Sequence, residues 1–430
     1  MHIARLQSPC RRGRQHSPAM ALLLITALSS LFISLATAQG ITQNLTLNQA
    51  ISKTLEQNPQ LHQFALKKTG LLGLRDDSDT SPALNLGLEV DNIAGSGTYS
   101  GTDAAETTLA LSSVLELGAK RSTRLSVADA RLSMLEYQRQ AFTLNILGEL
   151  TALFIETLQL QALIELAQEA QALADSTLSI VKNRSQQGAT SDAEVKRAAA
   201  TQALAQLQLS ALQRQHQRAL FKLANFWGES MPRHYRLSGN LYRFSEQPSY
   251  PELYERAMQS PAIAVFASEA RLKTAEVDLA RTQSSVDLNW QIGIRRFEQS
   301  GDSALVAGVS IPLFSGRRNS GAIKSALADR DQVELNRQAA LLRLNTQLFT
   351  AYSQRQQHIN AVTVFQTRII PNLASALSAT QRAYEAGRYS YQDWIAAQQA
   401  LLQAKKSLIE SAAAASLNQA TIEQLIAEPF

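Results

Sequence analysis

The 430-residue chain has a single cysteine, Cys10, and therefore no intramolecular disulfide. Proline and glycine are sparse, at 11 and 19 residues, and no low-complexity linker divides the chain. Histidine is scarce too. Beyond residue 38 only His62, His216, His234 and His358 remain, none in the i, i+4 pair that a helical metal site uses. Met134, Met231 and Met258 are equally scattered, which leaves no soft-metal relay. There is no phosphate-binding glycine loop and no nucleophile motif. No catalytic residue, bound metal or cofactor is therefore expected, and any energy source must be external. After residue 38 no uninterrupted apolar run reaches ~18 residues, which excludes a conventional membrane-spanning helix. A membrane crossing by this chain has to use strands.

The formal charge of +5 is misleading. Arg5, Arg11, Arg12 and Arg14 precede an apolar run from Met20 to Leu35 that ends in Ala36-Thr37-Ala38. That is the pattern of a secretory signal peptide, residues 1–38, with Cys10 placed too early to be a lipoprotein's acylated first residue. Removing those four arginines from the 41 basic residues leaves 37 against 36 acidic ones, so no nucleic-acid partner is expected.

What the chain does have is a unit written twice. Asn58-Pro59, Leu117-Gly118-Ala119-Lys120-Arg121 and Gly188 recur about 200 residues later as Ser260-Pro261, Phe314-Ser315-Gly316-Arg317-Arg318 and Gly387. The spacing defines a first repeat over 39–227, a linker over 228–248 and a second repeat over 249–430. Each repeat carries a strand pair, 83–117 and 285–314. Leu84, Leu86, Leu88 and Val90 alternate with Asn85, Gly87, Glu89 and Asp91. Leu109, Leu111, Leu115 and Leu117 oppose Thr108, Ser112 and Glu116. Val286, Leu288, Trp290, Ile292 and Ile294 alternate with Asp287, Asn289, Gln291, Gly293 and Arg295, and Leu305, Ala307, Val309, Ile311 and Leu313 follow. One face is wholly apolar and the other carries Glu89, Asp91, Glu116, Asp287 and Arg295, a pattern that predicts lipid outside and a wet lumen inside. The competing reading is a half-buried soluble sheet. Four strands cannot close a transmembrane barrel, but three copies supply twelve and leave no bare edge.

From about Lys120 to Lys182 there is no proline and only Gly148, which predicts one helix of roughly 90 to 95 Å. Ile146, Leu150, Leu153, Leu160, Ile164, Ala167, Ala174, Leu178 and Val181 follow coiled-coil spacing, interrupted at Thr157 and Gln171. A return helix over 192–226 is half as long, and a helix over 47–77 stacked on its end makes up the difference. The second repeat has the same plan, with a long helix over 322–382, a return over 391–427 and a stacked helix over 251–281. Pro371 is expected to bend or break that second long helix. Gly228 to Pro248 breaks both patterns and reads as an equatorial collar.

With this plan the sequence resembles the TolC family of outer-membrane efflux ducts over its whole mature length. Glu89-Val-Asp-Asn, Glu106-Thr followed by Leu115-Glu-Leu-Gly-Ala-Lys-Arg121, and Gly301-Asp-Ser-Ala-Leu-Val-Ala-Gly-Val-Ser-Ile-Pro-Leu313 are similar to its cobalt-zinc-cadmium resistance branch. The resemblance implies a homotrimer in the Gram-negative outer membrane, with a twelve-stranded barrel in lipid and a helical tunnel through the periplasm. It also implies a periplasmic adaptor (membrane fusion) protein and an inner-membrane RND pump as partners, with divalent heavy-metal cations as cargo.

The segments 184–194 and 382–393 place a glycine just before a helix start, and in this family such tips meet the adaptor. The resemblance thus assigns docking to Arg184, Gly188, Thr190, Ser191, Gly387, Arg388 and Ser390. Read from the residues alone, Gly188 and Gly387 are helix ends, and Ser191-x-x-Glu194 and Ser390-x-x-Asp393 are capping boxes that need no partner. Asp393, six residues past the tip glycine, matches the carboxylate that rings the family's closed mouth. The family's second acidic ring falls here on Ala396, so Tyr389 or Tyr391 is expected to supply bulk to the constriction. Two other readings stay open: the same fold as exit duct for drug efflux or type I protein secretion, and a periplasmic coiled-coil scaffold or adaptor without a pore.

Overall fold

The computed structural model describes residues 43–230, 235–313 and 319–428. The signal segment 1–38, the motif 314–318, His234 and Met231 lie outside them. The chain opens with β1 (Gln43–Thr46), α1 (Leu47–Gln57) and α2 (Pro59–Ser78), followed by β2 (Asn85–Asp91) and β3 (Glu106–Leu115). Then come α3 (Lys120–Gln186), α4 (Asp192–Asn225) and β4 (Tyr235–Ser238). The second half runs α5 (Tyr250–Met258), α6 (Pro261–Thr282), β5 (Leu288–Phe297), β6 (Ser303–Ser310), α7 (Ser320–Val364), α8 (Ile370–Glu385) and α9 (Tyr391–Ile426).

The stacked helices are each broken where a continuous helix was expected. Asn58 caps α2 with its side chain accepting from Gln60 N, and Pro59 sits in the first turn, where its missing N–H has no partner to lose. Ser260 and Pro261 mark the matching break between α5 and α6, without a side-chain cap bond from Ser260. In the second long helix, Phe365–Ile369 forms a π turn directly ahead of Pro371. A proline ring collides with the carbonyl four residues back, and the widened turn makes room for it.

At 67 residues α3 extends for roughly 100 Å. It packs on α2 and α6 towards its start, and on α4 and α9 towards its end. By length and composition α3 could cross a membrane, contrary to the sequence expectation, because Glu149 and Glu156 interrupt its apolar run without making it polar on average. Part of its apolar face packs inside the protomer: Ile146, Leu150, Phe154 and Val181 are buried. Thr157, read as an interruption of the seam, is itself buried and returns its hydroxyl to the Leu153 carbonyl at 2.7 Å. Gly148 faces α9, and a Cβ there would collide with the Gln424 side chain.

Between the halves, β1 and β4 pair in parallel, a strand contact that four-residue segments do not announce. Tyr235 and Leu237 are buried there with Leu45, Leu158, Leu223 and Trp227, in a core that joins the N-terminal segment to both long helices. The strap that follows is pinned by buried Arg355 on α7, which donates to Gln247 Oε1 and the Ser245 carbonyl, both at 2.7 Å.

The other sheet is antiparallel in the order β2-β3-β5-β6. Its two outer strands, β2 and β6, have each one unpaired edge among the described residues. Because α3 begins five residues after β3 ends and closes at the Gly188 turn, the sheet and the helix tips stand at opposite ends of the molecule.

Candidate functional site

The sheet register aligns side chains into two continuous faces. Leu86 opposes Leu111, which opposes Ile292, which opposes Ala307. Leu88, Leu109, Ile294 and Leu305 form the next such row. All but the half-buried Leu111 are exposed, Leu305 by 81% and Leu86 by 73%. A row this greasy with nothing covering it marks a face that meets lipid or another protein.

The reverse face is polar, and most of its charges are paired. Glu116 receives Arg124 Nη1 and Nη2, the latter at 2.9 Å, and Asp287 receives Lys120 Nζ at 2.7 Å. Both cations come from the first two turns of α3, so these two carboxylates tie the sheet to the helices rather than standing as free charges. The turn between them depends on Gly118, at φ +78°, and on Ala119, which also takes a left-handed conformation. Farther from the helices, Arg295 donates to Glu106 at 2.9 Å and to the buried Thr108 hydroxyl at 2.9 Å, with Asp91 at 3.8 Å. Glu106 belongs to this group although the sequence did not single it out as a lining residue; its register opposite Asp91 is the signal that places it. Glu89 has no ion-pair partner among the described residues.

At the far end both tips close by the same device. Gly188 and Gly387 sit at φ +73° and +72°. Ala189 N donates to the Arg184 carbonyl and Arg388 N to the Ala383 carbonyl, at 2.9 and 2.8 Å, so each glycine completes a paired-hydrogen-bond helix end. The starts of the return helices differ. Ser390 and Asp393 form a full capping box: Asp393 Oδ2 accepts from Ser390 N at 3.1 Å and from its hydroxyl at 2.6 Å. At the first tip only half the expected box exists. Ser191 Oγ accepts from Glu194 N, but the Glu194 carboxylate is taken by the Thr190 hydroxyl. The Ser390 bonds hold the exposed Asp393 carboxyl below its ordinary range.

Arg184 joins the two tips. Its Nη1 donates to the carbonyls of Tyr384 and Glu385, and its guanidinium lies over the Tyr384 ring. Tyr384 stacks on Trp394 with ring centroids 5.0 Å apart, and Tyr391 meets Tyr384 edge-on. Tyr391 is therefore not a source of bulk in an open passage: it is buried in this aromatic cluster, where burial also raises its hydroxyl's pKa. Tyr389, Arg388 and Ala396 are exposed. Among the described residues no group of three or more histidine, cysteine, aspartate or glutamate side chains could hold a metal ion.

An uncovered apolar sheet at one end of a helical rod is the build of a conduit seated in a membrane. The chain belongs to the outer membrane efflux protein family, whose profile matches residues 50–229 and 253–428. Its members are transport conduits of the Gram-negative outer membrane, not enzymes. Among curated relatives it is 28% identical to the cobalt-zinc-cadmium resistance protein CzcC of Cupriavidus metallidurans, over 68% of this chain and 70% of that one. It is 26% identical to the pyoverdine export outer membrane protein OpmQ of Pseudomonas putida, over 67% and 63%. Among solved structures, the outer membrane protein VceC of Vibrio cholerae superposes with a TM-score of 0.72 at 20% identity, over 88% of this chain and 95% of that one. That likeness shows a TolC-type fold.

Proposed function

We propose that three copies of the chain form a passive duct that carries divalent heavy-metal cations out of the cell. The observation that carries this reading is the exposed apolar sheet face with a bare edge on either side. A threefold ring pairs each β6 with the next copy's β2, closes twelve strands and turns every leucine row towards lipid. The helices support the same closure. Leu335, Leu342 and Phe349 recur every seventh residue on α7 and are exposed in a single chain, a coiled-coil seam that lacks its partner helix.

In this reading the two halves are repeats and residues 1–38 are removed on export. The tips around Gly188, Thr190, Ser191, Gly387, Arg388 and Ser390 meet a periplasmic adaptor, which couples the duct to an inner-membrane RND pump. Asp393, exposed with its cap bonds turned to Ser390, offers its remaining oxygen to the passage, and three copies form an acidic constriction with Tyr389 beside it. The metal cargo is supported by the likeness to CzcC. The likeness to a pyoverdine exporter supports a second reading, a duct for a small organic molecule.

Deletion of the gene followed by growth on graded zinc, cobalt, cadmium, nickel and dye separates the two. Sensitivity to one or more metals without sensitivity to dye is the expected outcome. Unaltered metal tolerance overturns the cargo assignment, and recovery of the chain as a detergent-free monomer overturns the duct.

A further inference from the structure

Along the polar face of the sheet, charge is distributed unevenly. Next to the helices, Glu116 and Asp287 are each cancelled by Arg124 and Lys120. The middle rows are neutral: Asn85 opposes Ser112, which opposes Gln291, and Gly87, Ala110 and Gly293 share the next level. At the end remote from the helices, Glu89, Asp91 and Glu106 share the face with one cation, Arg295. Arg295 binds Glu106 and the Thr108 hydroxyl closely and Asp91 at 3.8 Å, so one guanidinium spans β2, β3 and β5. Glu106 accepts a further bond from Asn92 Nδ2 at 3.1 Å. The group is therefore a built ion-pair hub with two negative charges in excess per chain.

We propose that Arg295 sets the ion selectivity of the duct's outer mouth by cancelling one of the three carboxylates that line it. The inference rests on the trimeric channel reading, in which three hubs face one axis. Six uncompensated negative charges then surround the mouth, while the barrel base carries none from its paired residues. Fixed charge of one sign at one end favours cations over anions, and it makes the current depend on the sign of the voltage.

The test uses full-length mature protein in planar bilayers, with a KCl gradient and the reversal potential as readout. Wild type is expected to be cation-selective and to rectify. Arg295→Gln is expected to raise the cation-to-anion permeability ratio about twofold or more at 0.1 M salt, with the gain shrinking at 1 M as screening shortens. Since that variant loses bonds to two strands, Glu89→Gln serves beside it: Glu89 has no ion-pair partner among the described residues to lose, and its neutralisation is expected to lower the ratio and weaken rectification. Reversal potentials that are identical in the three proteins overturn the role of Arg295 and leave the channel intact. A wild type that opens no conductance overturns the channel reading and this inference with it.

Discussion

The Arg184 guanidinium lies 4.8 Å from the centroid of the Tyr384 ring while donating to the Tyr384 carbonyl at 3.0 Å and the Glu385 carbonyl at 2.8 Å. One side chain of the first helical hairpin thus grips both ring and backbone of the second, 200 residues away. Arg184→Ala is expected to cost about 1–3 kcal/mol through the lost carbonyl bonds and ring contact. Arg184→Lys keeps a charge but not the planar fork, and should recover less than half of that loss. Thermal unfolding in detergent measures both. Equal midpoints for wild type and Arg184→Ala exclude a clasp between the tips.

Asp393 does two things that separate by pH. The Ser390 bonds depress its folded pKa below the ordinary 3.8, so its contribution to the start of α9 is fully present above that value and fades as pH falls through the folded pKa. The stability gap between wild type and Asp393→Ala should therefore stay constant from about pH 7 to 5 and close only in stronger acid. The same substitution should raise single-channel conductance or remove divalent-cation block at neutral pH. Unchanged single-channel behaviour would leave Asp393 a helix cap and nothing more.

Gly118 carries two separate demands. Its φ of +78° disfavours any side chain, and a Cβ would strike the Ser285 side chain. Gly118→Ala is expected to destabilise the strand-to-helix turn by about 1–3 kcal/mol from backbone strain alone, with the steric clash added. Ser285→Gly should relieve the clash and not the strain, giving partial recovery of the unfolding midpoint. Gly321, inside α7 with open space around it, is the control: Gly321→Ala should leave stability unchanged or raise it by up to about 1 kcal/mol.

Arg124 and Glu116 are mostly withdrawn from water, with side chains 28% and 20% exposed. Removing either charge strands the other, at a cost of about 1–3 kcal/mol. Glu116→Gln and Arg124→Gln should each lower the unfolding midpoint, and the double variant should fall by less than the two added together. Additive losses would show that the pair does not couple the sheet to α3.

These cases mark what the residues reveal before folding. Period-two alternation exposed both faces of the sheet because successive residues point to opposite sides, and the register then only had to line up Leu86, Leu111 and Ile292. The α3 span was legible because nothing between Lys120 and Gln186 could end it. The partners of Glu116 and Asp287 were hidden, since Asp287 meets Lys120 across 167 positions of chain. Tyr391 looked available because a tip residue next to a serine cap is usually solvated, and only the stacking of Tyr384 on Trp394 creates the pocket that buries it. The first tip's incomplete capping box was illegible for a local reason: Thr190 competes for the carboxylate that Ser191 N–H was expected to hold.

The π turn at Phe365–Ile369 changes the phase of everything after it. One extra residue in a helix of 3.6 per turn rotates the following side chains by about 100°. The azimuth of the Tyr384 ring relative to the Leu335–Leu342–Phe349 seam is therefore set by five residues in mid-rod, far from either end. Excising one of them would press the Pro371 ring back against the carbonyl four residues before it and turn the tip away from Arg184, so that helix length and tip bearing cannot be tuned independently.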